Sequence, residues 1–326
     1  MKRRELLMGA SASAALGAFA SPAAAQETAA YPSRQVTIVV PFAAGGSADA
    51  VVRTVAQELT QRWGQSVVVD NRAGGNTVIA TASVAAAPPD GHTLLCGSYA
   101  WVTNQYLHPR LPYGPASLAP VTLLGTYPEM LFLRADIPAT SITELAAWAR
   151  SAGRPLTFAN SGSGSSLHLA AAAFAEASGI PVTHVSYRGS APAMQDIAGG
   201  QVDAMFEGLT FRSFADGRRI RAMFVAQPEA LPEWPELPSA RKVGLPGEFN
   251  WASWFGLLAP ARTPAAVQER IAADVGAALA KPSVDAQLRR VGLVPAPGTP
   301  AGYAAFLDGE RTKLQAVITR NRIVME

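Results

Sequence analysis

From position 35 onward, short runs of β-branched and aliphatic residues alternate with stretches whose apolar positions recur every three to four residues. Such a pattern predicts strands and amphipathic helices in turn. Residues 35–40 read as a buried strand, and Val52, Val55, Ala56, Leu59 and Trp63 mark one face of the helix that follows. A second strand over 66–70, a second helix over 79–86 and a third strand over 93–97, entered through the turn Pro89-Asp90-Gly91, complete a βαβαβ unit. A similar set follows. An extended crossing segment occupies 121–133, and Ser141-Ile142-Thr143-Glu144 is a capping box opening a helix through Trp148. Strands over 156–159, 183–187, 202–206 and 220–225 come next, with helices at 167–177 and after Ala191. The Pro-rich stretch 228–246 predicts a long loop, and 254–259 crosses back as a strand. Thr263-Pro264 and Thr299-Pro300 each set a capping Thr before a Pro at the first helical position, so two C-terminal helical stretches are expected. The fold class predicted is α/β with largely parallel strands, in two lobes.

The first residues follow a different logic. Met1-Lys2-Arg3-Arg4 is basic, Leu6 to Ala20 is uncharged, and Ala23-Ala24-Ala25 is small, the order of a cleavable secretory signal over residues 1–25. Its apolar stretch of about 15 residues falls short of the ~20 that a spanning helix needs. Arg3-Arg4 also fits a twin-arginine signal, and either route predicts a periplasmic protein. Without Lys2, Arg3, Arg4 and Glu5 the net charge of +3 falls to +1, which gives no reason to expect a nucleic-acid partner. Cys96 is the single cysteine, so no internal disulfide forms, and a buried apolar role is expected for it.

Candidate chemistry lies in loops 42–49, 160–167 and 188–192, where a strand ends, Gly, Ser and Ala follow, and a helix begins. Backbone N–H groups of a first helical turn lack intrahelical partners and carry the positive end of the dipole. Such loops can hold a carboxylate or phosphate without a charged side chain; taken singly, each also reads as an ordinary tight turn. No dinucleotide or phosphate-loop fingerprint is present, and both Gly/Ser loops miss the G-x-S-x-G of a hydrolase elbow by one glycine. The four histidines show no metal-ligand spacing. His168, one turn into its helix, leaves a serine hydrolase on Ser165 or Ser166 as a minor alternative that lacks a third triad member. Arg188 either pairs with a ligand carboxylate or points to solvent, and Tyr99 and Trp101 either pack in the core or line a pocket.

The motifs stand in a recognisable order: Val40-Pro41-Phe42-Ala43-Ala44-Gly45-Gly46-Ser47-Ala48-Asp49, Pro89-Asp90-Gly91-His92-Thr93-Leu94-Leu95, Ser161-Gly162-Ser163-Gly164-Ser165-Ser166-Leu167-His168-Leu169, Tyr187-Arg188-Gly189-Ser190-Ala191-Pro192-Ala193, Gly200-Gln201-Val202-Asp203-Ala204-Met205-Phe206 and Trp254-Phe255-Gly256-Leu257-Leu258-Ala259-Pro260. Together with Tyr31-Pro32-Ser33-Arg34 they resemble, over essentially the whole mature chain, the Bug family of extracytoplasmic solute receptors of tripartite tricarboxylate transporters. The resemblance implies a type II periplasmic-binding-protein fold, with lobe 1 over 31–125 and 253–326 and lobe 2 over 126–252. It implies a binding protein rather than an enzyme, a monomer with no cofactor or metal, partnered by a small carboxylate and the transporter's membrane subunits. A ligand sensor for a membrane signalling partner is the alternative. Carried over residue by residue, the ligand contacts would be Phe42, Ala43, Gly45, Gly46, Ser47 and Asp49 on one side. Ser161, Gly164, Ser165, Ser166, Tyr187, Arg188, Gly189, Ser190 and Asp203 would face them. Asn76 and Thr77 stand where the family often has glycines, and Phe206-Glu207-Gly208 replaces a common F-D-N. These departures bear on the ligand rather than on the fold.

Overall fold

The run Val36-Thr37-Ile38-Val39-Val40 forms β1 (Val36–Val40), with every side chain but that of Thr37 buried, as a strand covered on both faces requires. A computed structural model describes residues 31–187, 189–215 and 217–324; the segment read as an export signal, 1–25, and Arg188 lie outside the described residues. The chain divides into Met1–Tyr31 and a unit Pro32–Glu326, and the latter is described here. β1 is followed by α1 (Ser47–Trp63), β2 (Val67–Asn71), α2 (Val78–Ala85), β3 (Thr93–Ser98) and α3 (Tyr99–Leu107). The long β4 (Leu118–Arg134) leads through α4 (Ile142–Ser151) into β5 (Leu156–Asn160), α5 (Ser166–Ser178), β6 (Val182–Ser186), α6 (Ser190–Ala198), β7 (Ala204–Gly208) and β8 (Ile220–Val225). After the Pro-rich loop come β9 (Ala252–Pro260), α7 (Ala265–Leu279), α8 (Pro282–Arg290), β10 (Val294–Pro295) and α9 (Pro300–Arg320).

The strand order is β2-β1-β3-β9-β4-β7-β5-β6, with β10 and β8 also on β4. β1 pairs in parallel with β2 and β3, and β5 in parallel with β6 and β7. At the centre every pairing is antiparallel: β3 with β9, β9 with β4, and β4 with β7. The largely parallel sheet expected from the alternation therefore holds within each βαβαβ unit and fails between them. The reason is topological, because β4 carries the chain from one unit to the other and β9 brings it back. β4 changes neighbours in its middle, pairing with β9 through Pro128 and with β7 from Glu129 onward.

Local chemistry sets the boundaries. Gly64, in the left-handed region at φ 65°, ends α1 by donating its N–H to Thr60 O. Thr299 caps α9, its hydroxyl accepting from Gly302 N at 3.1 Å. Thr263 does not cap α7: Pro264 holds the N-cap position, and the Thr263 hydroxyl is buried without a partner. Ser141 accepts from Glu144 N at 3.2 Å, but the Glu144 carboxylate reaches back to Thr140 N and Oγ1 at 2.6 and 2.8 Å rather than to Ser141. Residues 99–107, to which the periodicity assigns no element, form a helix, and α8 is an additional element between α7 and α9.

Phe158, Phe174, Phe206 and Phe224 pack with ring centroids 5.5–6.2 Å apart in the second unit, in stacked, tilted and edge-to-face pairs. Trp254, Tyr303 and Phe306 form a second aromatic group, and Trp254 Nε1 donates to Glu310 Oε2 at 2.9 Å. Truncating a ring in such a cluster costs about 3–5 kcal/mol. Cys96 is fully buried, and burial pushes its thiol up to about 12, the inert state expected for it. Among the described residues no helix is long and apolar enough to cross a membrane.

Candidate functional site

Four helices begin at one cavity of about 370 Å³. Ser47, Tyr99, Ser166 and Ser190 are the first residues of α1, α3, α5 and α6, and all four line it. The remaining wall comes from Phe42, Ala43, Ala44, Gly46 and Ser161 in the strand-to-helix loops, Ala48 and Leu167 in the first turns of α1 and α5, Tyr127 and Glu129 on β4, Glu207 and Gly208 at the end of β7, and Ser253, Trp254 and Phe255 on β9. Helix starts and small hydroxyl side chains thus meet aromatic faces, with Phe42 and Phe255 edge to face at 6.4 Å between centroids.

In the first loop Gly45 adopts φ 85°, a conformation that favours glycine, and its N–H donates to Asp49 Oδ2 at 2.9 Å. Asp49 also accepts from Arg53 Nε at 2.9 Å, and that guanidinium holds its carboxyl down at about 2. Asn71 Nδ2 donates to Phe42 O at 3.1 Å. Gly45 and Asp49 therefore fix the loop while Gly46 and Ser47 face the cavity. In the second loop Ser165 caps α5, accepting from His168 N at 3.2 Å, and Gly164 N donates to His168 Nδ1 at 3.1 Å. Neither serine hydroxyl is bonded to the His168 ring. Ser166 Oγ turns to Glu129, and His168 lies 4.3 Å from the His184 ring, with burial lowering both imidazoles and that of His184 to about 4. The serine–histidine arrangement that a hydrolase needs is not formed.

Of the positions singled out from the sequence, Phe42, Ala43, Gly46, Ser47, Ser161, Ser166 and Ser190 line the cavity. Gly45, Asp49, Gly164 and Ser165 sit behind them in the same loops. Gly189 precedes α6 at φ 108°, and Tyr187 donates its hydroxyl to Asp196 Oδ2 at 2.7 Å. Asp203 stands before the far end of β7 and does not line the cavity. Its carboxylate accepts from Arg154 Nη1 and Nη2 at 2.5 and 2.9 Å and from Thr157 N and Oγ1 at 2.9 Å each. Tyr99 lines the cavity, whereas Trp101 is a core residue under the Arg311 guanidinium.

Sequence reasoning missed the two acids. Glu129 is 1% exposed where β4 changes neighbours, and its backbone pairs with Gly208. Glu129 Oε1, Ser166 Oγ and Ser253 Oγ form a triangle with sides of 3.0, 2.7 and 2.7 Å, and Glu129 Oε2 has no hydrogen-bond partner. Burial raises the Glu129 carboxyl to about 7 against the two serine hydroxyls, and burial together with the Glu129 charge raises that of Glu207 to about 8. Glu207 follows Phe206 in a motif noted only as a variant. Glu129 is the one acid in the crossing strand and stands directly before Met130-Leu131-Phe132-Leu133, and that lone acid was the available signal.

The chain matches, over residues 51–323, the family described as "Tripartite tricarboxylate transporter family receptor". It is 39% identical over 324 residues to the "UPF0065 protein in tcbD-tcbE intergenic region" of Pseudomonas sp. (strain P51), covering 98% of this chain and 95% of that one. Among solved structures it is similar to "R. palustris Rpa4515 with adipate", with TM-score 0.79 and 32% identity over 91% of this chain and 100% of that one. It is similar also to "MatC (Rpa3494) from Rhodopseudomonas palustris with bound malate", with TM-score 0.73 and 34% identity over 88% and 100%.

Proposed function

Because the chain belongs to the family of tripartite tricarboxylate transporter receptors, we propose that it is a periplasmic receptor that closes on a small carboxylate and delivers it to the membrane subunits of such a transporter. Members of this family are solute-binding receptors, not enzymes. The observation that carries the reading is the convergence of four helix starts, three of them headed by serine, on one cavity. Unpartnered N–H groups and the positive ends of helix dipoles suit an anion there, and the first-loop backbone at Gly46 can approach it closely. The adipate and malate bound by two similar proteins support a carboxylate of that size.

The ligand carboxylate is assigned to Phe42, Ala43, Gly46 and Ser47 on one wall, with Ser161, Ser166 and Ser190 opposite. Gly45, Asp49, Gly164, Ser165, Tyr187 and Gly189 shape these loops, and Arg188 is a further candidate at the third. Lobes over 31–125 with 253–326 and over 126–252 would hinge where β4 and β9 cross. Export by a cleavable signal over 1–25 and action as a monomer belong to the same proposal. Calorimetry and thermal shift with mono-, di- and tricarboxylates test it: saturable one-to-one binding is expected, lost in Gly46→Val. The absence of heat and stabilisation from every carboxylate tried would overturn it.

A further inference from the structure

The cavity holds two acids and, among the described residues, no Arg, Lys or His lines it. Two buried acids in a receptor of carboxylates are an electrostatic load that a positively charged ligand group relieves; Arg188, the candidate cation at the third loop, lies outside the described residues. Glu129 presents Oε2, without a partner, from a carboxyl group that is 1% exposed, and Glu207 stands beside it on the neighbouring strand, Met130 facing Glu207 in the register. Buried polar atoms require partners, and buried charges require counter-charges.

Ser166 Oγ and Ser253 Oγ both donate to Glu129 Oε1, at 3.0 and 2.7 Å, so Oε2 is the oxygen left for a ligand. With Glu129 ionised, Oε2 accepts, and the ligand atom that meets it must carry hydrogen; an ammonium supplies both the hydrogen and the counter-charge. With Glu129 neutral, the proton sits on Oε2 and can meet a carboxylate, so the choice between amine and carboxylate turns on pH.

We propose that Glu129 and Glu207 form a subsite for a protonated amine, so that the receptor selects an amino-carboxylate, its carboxylate at the helix starts and its ammonium between the two glutamates, over a dicarboxylate of equal length. The inference rests on the carboxylate reading and narrows it. The other titratable or charged groups that reach the pair are Tyr99 on α3, Tyr127 on β4, and Glu310 and Lys313 on α9. Lys313 is already closed on Glu310 at 2.5 Å and sits over the Trp251 ring, so it is not the missing counter-charge. Burial holds both glutamates partly protonated near neutrality, so an ammonium entering the subsite expels protons and a carboxylate takes them up.

Calorimetry on the full mature chain with matched pairs tests this: γ-aminobutyrate against succinate, δ-aminovalerate against glutarate and ε-aminocaproate against adipate. For at least one pair the amino acid should bind about tenfold tighter than its dicarboxylate partner near pH 8, and its affinity should rise as the pH is raised from about 6. Glu129→Gln and Glu207→Gln, isosteric changes checked for folding by circular dichroism, should lower that preference about tenfold. Tighter dicarboxylate binding in every pair near pH 8, or a preference untouched by both substitutions, would overturn the amine subsite while leaving the carboxylate receptor standing. Failure of all carboxylates, amino-substituted or not, would remove both.

Discussion

At Gly208 a Cβ would stand 1.8 Å from Cε1 of Tyr127, and at Gly292, on the ring's other edge, a Cβ would meet Cε2 at 2.8 Å. The Tyr127 ring is thus held between two glycines, with its hydroxyl 2.8 Å from Thr210 Oγ1, and it lines the cavity in that pose. Gly208→Ala should displace the ring, weakening ligand binding at least about tenfold by calorimetry and lowering stability by roughly 1–3 kcal/mol in denaturant melts. Asp203 behaves differently. Asp203→Ala leaves the half-buried Thr157 N–H without its acceptor and frees the partly exposed Arg154 guanidinium, so a stability loss of about 1–3 kcal/mol is expected, with ligand Kd unchanged in the folded protein. The contrast marks a limit of reading residues in a string: Asp203 and Ser166 both sit in recognisable motifs, and only the fold turns one toward Arg154 and the other toward the cavity. Glu129 was hidden for a related reason, since its burial follows from a crossover between strands distant in sequence.

Among the elements, strand-to-helix alternation was legible because it draws on local periodicity and local caps, as at Ser141 and Thr299. α3 was not legible. Tyr99, Trp101 and Val102 favour strands, Ser98 gives it no side-chain cap bond, and the helix is stabilised instead by burial of Trp101 and by tertiary contacts. One such contact ties it to the loop before α2. Asn104 Nδ2 donates to Asn76 O at 2.7 Å and to Thr77 Oγ1 at 3.3 Å, while Asn76 Nδ2 donates to Asn104 Oδ1 at 2.8 Å. Asn76 and Thr77 both have positive φ, at 47° and 74°, a costly conformation for a β-branched residue, and these bonds hold it. Asn104→Ala should therefore cost about 1–3 kcal/mol of stability, and Thr77→Gly should be neutral or stabilising, both measured by thermal melts. That brace was invisible because the two segments lie far apart in the chain and neither carries a motif.

For the whole molecule the buried acids set a pH dependence. Glu129 and Glu207 titrate at about 7 and about 8 in the folded protein, above the ordinary glutamate value of the unfolded chain. In that interval the folded state binds more protons than the unfolded one, so stability of the ligand-free protein falls as pH rises. His168 and His184, lowered by burial, act with the opposite sign at and below their ordinary value, so the clean window runs from about pH 6.5 to about pH 8.5. Calorimetric Tm should decrease across it, and Glu129→Gln should flatten the decline. A saturating ligand should raise Tm in proportion to RT ln(1 + [L]/Kd), which makes stabilisation a direct readout of the receptor role. The most direct test of that role is mass spectrometry of the small molecule released when the purified native protein is denatured. A one-to-one carboxylate that rebinds and restores Tm is the predicted result; a released molecule with no carboxyl group, rebinding with the same stoichiometry, would contradict it.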